Sequence, residues 1–292
     1  MLASTDTFET FTYEHDGLRL SGRSLGPETS SSLPIVCLPG LTRNSRDFDA
    51  MALAIRSLDP DRRIVAFDYR GRGHSQYATG AEAYTVPAEA ADILAGLDHL
   101  KIDRAVFVGT SRGTLVIHLL AMMRLEAIAA AVFNDAGPKI EAEGLRLIRD
   151  TVGVVESFPD WPSAVDALAT SLGPAFPAMT RADFERMARA GYVERDGRIV
   201  GDYDPRLLEP LRTIDLENGL PELWEAFDLM KDVPLLVIRG ENSTLFSAST
   251  VDAMKARHGN LESIEVPGQG HAPFLETAGL PAKIARFAGR IS

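Results

Sequence analysis

The chain has 292 residues, enough to bury a large core, and its 45% hydrophobic and 24% charged content is that of a folded globular protein rather than a disordered one. A formal net charge of -11 disfavours nucleic acid and anionic membrane surfaces as partners, because both demand clustered lysine or arginine. The single cysteine, Cys37, excludes an intramolecular disulfide framework and a cysteine-based zinc site.

The opening residues, Met1 to Asp6, have neither a basic stretch nor an apolar run of the secretory kind, so a cytoplasmic location is expected. Phe8 to Glu14 and Leu18 to Leu25 alternate in polarity around Asp16-Gly17, which predicts an antiparallel hairpin. After Thr29-Ser30-Ser31-Ser32, a short loop, the pattern changes to continuous apolar runs: Ile35 to Leu38, Ile64 to Phe67, Ala105 to Val108, Ala129 to Phe133, Leu235 to Ile238 and Ser263 to Val266. Separated by helix-length segments, these suit the strands of a parallel sheet buried on both faces, with Cys37 an inert thiol in the first of them. The apolar stretches at Leu115 to Met123 and Ala127 to Phe133 are too short and interrupted to span a bilayer.

Chemistry gathers at the ends of these runs. After Leu38 comes Pro39-Gly40-Leu41-Thr42, a sharp turn that could leave the Leu41 N–H pointing inward; standing alone it would be an ordinary Pro-Gly turn. After Phe67 comes Asp68-Tyr69-Arg70-Gly71-Arg72-Gly73-His74-Ser75, read as a loop tied together by charge-assisted hydrogen bonds, with a substrate contact from Arg70 the lesser reading. After Val108 comes Gly109-Thr110-Ser111-Arg112-Gly113, followed by a helical stretch. Strand, sharp turn and helix is the setting in which a serine is forced to the top of a sheet, so Ser111 is a candidate nucleophile. Phe133-Asn134-Asp135-Ala136-Gly137-Pro138 puts an aspartate at the end of the next strand.

Between Phe133 and Leu235 lie about a hundred residues, too many for a structureless crossover. Helical patterns at Trp161 to Leu172, Thr180 to Ala190 and Pro221 to Met230, with one turn at Asp196-Gly197, predict a helical insertion over 139–225, the core being 1–138 and 226–292. Its aromatics, Phe158, Trp161, Phe176, Tyr192 and Trp224, read first as packing and second as pocket walls. Beyond it, Gly240-Glu241-Asn242-Ser243-Thr244 follows one strand and Gly268-Gln269-Gly270-His271-Ala272-Pro273 the last.

A serine hydroxyl needs a general base, a group that orients the base, and donors for an oxyanion. His271, in the loop between the last strand and the C-terminal helix, is the best-placed base. His15, His99, His118 and His258 fall on hairpin or helical stretches, and His74 on a loop rim. The first oxyanion donor is the backbone amide of Arg112, directly after the nucleophile, and the second is that of Leu41. Arg43 and Asn44, beside this turn, either meet a leaving group or brace the loop.

In order and spacing, the segments 38–44, 68–75, 109–113 and 268–273 resemble those of the α/β-hydrolase fold superfamily, in its capped form. The resemblance runs from about residue 10 to the C-terminus. It implies an α/β fold with a mostly parallel eight-stranded sheet flanked by helices and a helical cap inserted after the sixth strand. It also implies Ser111 as nucleophile, His271 as base, and Leu41 and Arg112 as oxyanion amides. There is one departure: many members carry the acid at the fourth position of a Gly-x-x-Asp turn after the strand matching Leu235 to Ile238, where this chain has Ser243. Other members place it at the end of the strand after the nucleophile helix, where this chain has Asp135. Asp135 is preferred over Glu241 as the acid, ahead of a site with no acid.

A serine at position 111 argues against the dehalogenase and epoxide hydrolase branches, whose covalent intermediate needs a carboxylate. Gly71-Arg72-Gly73 and Gly268-Gln269-Gly270 lack the third glycine of a dinucleotide fingerprint, and no metal-ligand spacing such as His-Glu-x-x-His is present, so no cofactor and no metal are expected. The expected activity is hydrolysis of a small carboxylic ester or lactone through an acyl-enzyme. Hydrolysis of a carbon-carbon bond in a diketone or ring-cleavage product is the alternative, and a non-catalytic ligand receptor the reading from another class. A small-molecule substrate is the expected partner, and a homodimer is allowed.

Overall fold

The computed structural model describes residues 7–153, 157–213, 215 and 221–291. Eight strands form one sheet in the order β1-β2-β4-β3-β5-β6-β10-β11. The hairpin β1 (Glu9–His15) and β2 (Leu18–Leu25) lies at one edge, and β2 pairs antiparallel with β4 (Ile64–Asp68). From β4 onward the sheet is parallel, through β3 (Ile35–Leu38), β5 (Ala105–Thr110), β6 (Ile128–Asn134), β10 (Leu235–Gly240) and β11 (Leu261–Val266).

The apolar runs are continuous because alternate residues of each central strand feed different layers. Val36, Phe107, Ala131 and Val237 pack with α2 (Val86–His99) and α3 (Arg112–Arg124). Their neighbours Cys37, Val106, Val132 and Leu236 pack with α1 (Asp49–Leu58) and the C-terminal helix (Leu280–Ala288). Burial pushes the Cys37 thiol well above its ordinary range, which leaves it an apolar core residue. Among the described residues no helix is long and apolar enough to cross a membrane.

Between β6 and β10 the chain forms α4 (Ala142–Thr151), β7 (Ser157–Phe158), α5 (Trp161–Leu172), α6 (Arg181–Gly191), β8 (Tyr192–Arg195), β9 (Arg198–Gly201), α7 (Glu209–Arg212) and α8 (Trp224–Leu229). The insertion is therefore not purely helical, as the sequence had suggested, since β7, β9 and β8 make a three-stranded antiparallel sheet. Asp196 and Gly197 both have positive φ, at 50° and 71°, and close a two-residue hairpin between four-residue strands too short to show a clear alternation. The helix expected over Pro221 to Met230 is shorter, and Phe227 of α8 returns to the core beside His118 of α3.

Sheet topology fixes where a site can form. From β3 the chain steps outward to β4, then crosses back to β5 on the other side of β3, so the strand order reverses between β3 and β5. Loops leaving these two strands at their carboxyl ends diverge and open a crevice. Register carries the same edge across the sheet: Leu38 pairs with Gly109, Thr110 with Asn134, Asn134 with Ile238, and Gly240 with Val266. The segments after β3, β5, β6, β10 and β11 thus emerge side by side.

Candidate active site

Ser111 is the residue between β5 and α3, with φ 53° and ψ -112°, a conformation costly for a non-glycine residue. Its surroundings enforce it. The Ser111 N–H donates to Asn134 O at 2.9 Å, extending the β5–β6 ladder by one bond, and the Ser111 carbonyl accepts from Thr114 N–H at 2.9 Å as the helix begins. The two flanking glycines permit the turn: a Cβ on Gly109 would lie 2.6 Å from the Gly113 carbonyl carbon, and one on Gly113 would overlap the Leu38 carbonyl oxygen. The serine side chain is left at the sheet edge.

Three side chains from separate loops converge there. His271 Nδ1 lies 2.8 Å from Asp135 Oδ2, and His271 Nε2 lies 2.8 Å from Ser111 Oγ. Because a carboxylate only accepts, the proton sits on Nδ1, and Nε2 is free to accept from the serine O–H. Asp135 is fully buried, directly after β6, with a φ of 59°. Its N–H donates to Ile238 O at 2.8 Å, and its other carboxylate oxygen, Oδ1, accepts from Gly240 N–H at 2.7 Å. Both oxygens are thus engaged and the carboxylate is fixed in direction.

Glu241, the other candidate acid, is placed elsewhere. Its Oε2 accepts from the backbone N–H of Gly268 at 2.7 Å, so it anchors the start of the histidine loop rather than the imidazole. Two residues that the sequence reading did not single out hold the same loop. Gln269, buried, accepts from Phe274 N–H through Oε1 at 2.8 Å and donates to Thr277 Oγ1 at 2.8 Å. Asn134, also buried, donates from Nδ2 to Pro273 O at 3.0 Å. Their only sequence signal is position, one between two loop glycines and one next to Asp135.

The candidate oxyanion amides are braced through their own peptide groups. A trans peptide directs its N–H opposite its carbonyl. Arg43 N–H holds Gly40 O at 3.2 Å, which orients the Leu41 N–H, and Thr114 N–H on Ser111 O orients the Arg112 N–H. Both turns line one pocket with Ser111 and His271.

The loop 68–75 behaves as the charge-tied element expected from sequence. Asp68 accepts from Ser45 N–H at 2.7 Å and from His74 N–H at 3.1 Å, joining the segments after β3 and β4; burial raises its pKa against these bonds. Arg70 is buried against Asp92, with Nε 2.7 Å from Oδ2, and does not line the pocket. Asn44 braces its loop by accepting from Arg46 N–H at 3.0 Å. Arg43 lines the pocket while its Nε donates to Asp47 at 2.8 Å and its Nη2 to Met187 O at 3.1 Å.

The pocket has a volume of about 910 Å³ and lies between the sheet edge and the insertion. Leu147 and Ile148 of α4, Leu168 and Leu172 of α5, and Met187 of α6 give it apolar walls. Of the insertion aromatics, Phe158, Phe176 and Tyr192 line it. Trp161 instead lies beneath the Arg189 guanidinium at 4.0 Å, and Trp224 packs edge-on against Phe227 at 5.9 Å. Among the described residues no group of three or more His, Cys, Asp or Glu is placed to hold a metal ion. A pocket of this kind admits a small molecule of mixed polarity, and the serine at its edge is hydrogen-bonded to an imidazole that can take its proton.

Comparison with known proteins bears on the family and the fold. The model of the alpha/beta hydrolase family matches residues 35–284. Among curated proteins, a 3-hydroxybutyrate-oligomer hydrolase of Cupriavidus necator is 32% identical over 86% of this chain and 85% of its own length. A 2-(acetamidomethylene)succinate hydrolase of Mesorhizobium japonicum is 30% identical over 80% of this chain and 79% of its own. Among solved structures, an alpha/beta hydrolase from Novosphingobium aromaticivorans superposes with a TM-score of 0.89 and 38% identity, covering 97% of this chain and 99% of that one.

Proposed function

Because the chain belongs to the alpha/beta hydrolase family, we propose that it is a serine hydrolase that cleaves a small carboxylic ester or lactone through an acyl-enzyme. The observation that carries this reading is the unbroken relay at the pocket edge, Ser111 Oγ to His271 Nε2 at 2.8 Å and His271 Nδ1 to the buried Asp135 at 2.8 Å. An ester is favoured over a carbon-carbon bond by the relative named for hydrolysing 3-hydroxybutyrate oligomers, since oligomers of a hydroxy acid are joined by ester bonds.

In the proposed cycle His271 Nε2 takes the Ser111 proton as Oγ bonds to the substrate carbonyl carbon. The carbonyl oxygen becomes an oxyanion held by the amides of Leu41 and Arg112. As the carbon–oxygen bond to the alcohol breaks, His271 returns the proton to the leaving oxygen. Water then enters, gives a proton to His271 and attacks the acyl carbon; as the bond to Ser111 Oγ breaks and the acid leaves, His271 Nε2 returns that proton to Oγ. Asp135 keeps the imidazole in the tautomer that accepts from serine and stabilises its charged form. Residues 139–225 act as a cap over the site and set which substrates fit, with Leu147, Ile148, Leu168 and Leu172 as apolar walls.

The test is Ser111→Ala. It is expected to abolish hydrolysis of short p-nitrophenyl esters and covalent labelling by a fluorophosphonate while circular dichroism and melting stay near those of the parent. Retained turnover would remove Ser111 from the mechanism. Cleavage of a 1,3-diketone by a protein inert to all esters and lactones would replace ester hydrolysis with carbon-carbon bond hydrolysis.

A further inference from the structure

Beneath the two candidate oxyanion turns, on the side away from the pocket, lies a buried group of charges that the proposed chemistry does not use directly. Glu89 of α2 is fully buried, and so is Arg72. Glu89 Oε2 accepts from Arg112 Nε at 2.6 Å, and its Oε1 lies 2.8 Å from Arg72 Nη1. Arg72 Nε in turn donates to the carbonyl oxygen of Leu41 at 2.8 Å, and Nη1 donates to Arg70 O at 2.8 Å. One carboxylate therefore reaches the Leu41 turn through Arg72 and the first residue of α3 through Arg112.

Charges in this position are expensive. Removing an ion from water is costly even after relaxation, and apolar residues of similar volume often serve stability as well or better. Burial alone would raise the pKa of Glu89, but the two guanidinium groups overcome it and hold the carboxyl below its ordinary range, so the residue stays ionised. An apolar side chain would fill the space without directing a peptide group. Arg72 does direct one, because it fixes the Leu41–Thr42 peptide plane just beyond the Leu41 N–H, while Arg43 N–H fixes the plane before it.

Resting on the reading of Leu41 and Arg112 as oxyanion donors, we propose that Glu89 is a positioning residue that sets the separation of these two amides, acting through Arg72 on one and Arg112 on the other. Donors that stabilise a transition state must be aligned before charge develops, and a shift of about 1 Å is enough to lose much of their effect. Both turns are then held by one helix, α2, which contributes no atom to the pocket.

Glu89→Gln keeps shape and removes charge, and Arg112→Met severs one link while keeping the backbone amide. Rates are normalised to sites titrated with a fluorophosphonate, and benzeneboronic acid serves as a mimic of the tetrahedral intermediate. Glu89→Gln is expected to lower kcat about tenfold to a hundredfold with KM changed less than about threefold, and to weaken boronate inhibition by a similar factor. Arg112→Met is expected to do the same to a smaller extent, and it carries the test if Glu89→Gln does not fold. A purely structural role would reduce the number of titrated sites or the melting temperature and leave kcat per site and boronate affinity at parent values; that result overturns the inference. Ser111→Ala with full esterase activity would overturn the underlying reading instead, and this inference with it.

Discussion

Gly240 ends β10 and Asp135 directly follows the neighbouring β6, and the backbone N–H of the first donates to the carboxylate of the second at 2.7 Å. Gly240 ends the strand after which many members of the family carry their acid. In this protein the same strand end holds the carboxylate of its neighbour instead. The glycine is required by the close approach of the histidine loop, since a Cβ at position 240 would lie 2.5 Å from Gln269 O and closer still to Gly270 O.

Asp135→Asn is expected to lower kcat on p-nitrophenyl acetate about a thousandfold to ten-thousandfold, because an amide can present its N–H to Nδ1 and favour the wrong tautomer. Glu241→Gln should cost at most about fivefold, since its carboxylate accepts from the Gly268 amide rather than from the imidazole. Steady-state kinetics on the two variants decide between the carboxylates: a collapse in Glu241→Gln alone would reverse the assignment.

Gly113→Ala tests the packing of the nucleophile turn. The added methyl overlaps the Leu38 carbonyl at the sheet edge, where Leu38 is held by its β3–β5 pairing with Gly109, so the start of α3 must shift instead. A loss of about 3 kcal/mol in urea unfolding is expected, together with reduced kcat. Unchanged stability would show that the helix can shift away at little cost.

The acid limb of the stability profile should carry a contribution from His118. This residue is buried in α3 beside Phe133 and Phe227, with Nδ1–H donating to Thr114 O at 2.8 Å. Burial pushes its pKa down to about 4, from 6.5 for an exposed imidazole. Between those values the unfolded chain binds the extra proton, so stability rises with pH across this window. The contribution is complete above pH 6.5 and is lost as pH falls toward 4, amounting to about 3 kcal/mol at most. His118→Leu should flatten the dependence of urea midpoint on pH between 4 and 6.5; an unaltered slope would rule the residue out as its source.

Asp202 links the insertion to the loop after β3. Its Oδ2 lies 2.9 Å from Arg46 Nη2 and its Oδ1 accepts from Arg195 Nη2 at 3.0 Å, while its carbonyl accepts from Gly73 N–H at 3.1 Å. Asp202→Ala keeps only the backbone bonds, to Gly73 N–H and Gly191 O. We expect a loss of about 1 to 2 kcal/mol, and faster amide exchange in the hairpin of β8 and β9 than in β5 and β6. Exchange unchanged in β8 and β9 would mean that these ion pairs do not hold the insertion in place.

Residues whose roles depend on the chain's local direction could be read from the sequence. Runs such as Ile35 to Leu38 and Ala105 to Val108 name strands buried on two faces, and Gly109 and Gly113 name a turn no other residue allows. Asp135 was legible because it directly follows an apolar run, which places it at the sheet edge. Glu89 was not: it lies in the first turn of α2 among alanines, and its meaning depends on Arg72 and Arg112, 17 and 23 positions away in a chain whose folding brings them together. The hairpin of β8 and β9 escaped for a different reason, since two strands of four residues leave only their turn as a signal.

In the proposed mechanism the carboxylate comes from Asp135, directly after β6, so the stretch that follows β10 takes no part in proton transfer. Asn242 is free to donate to Ala175 O at 3.0 Å, and Thr244 and Leu245 to form part of the pocket wall. Segment 242–245 can therefore change in size and polarity across descendants of this fold, altering which molecules are admitted while leaving the reaction itself intact.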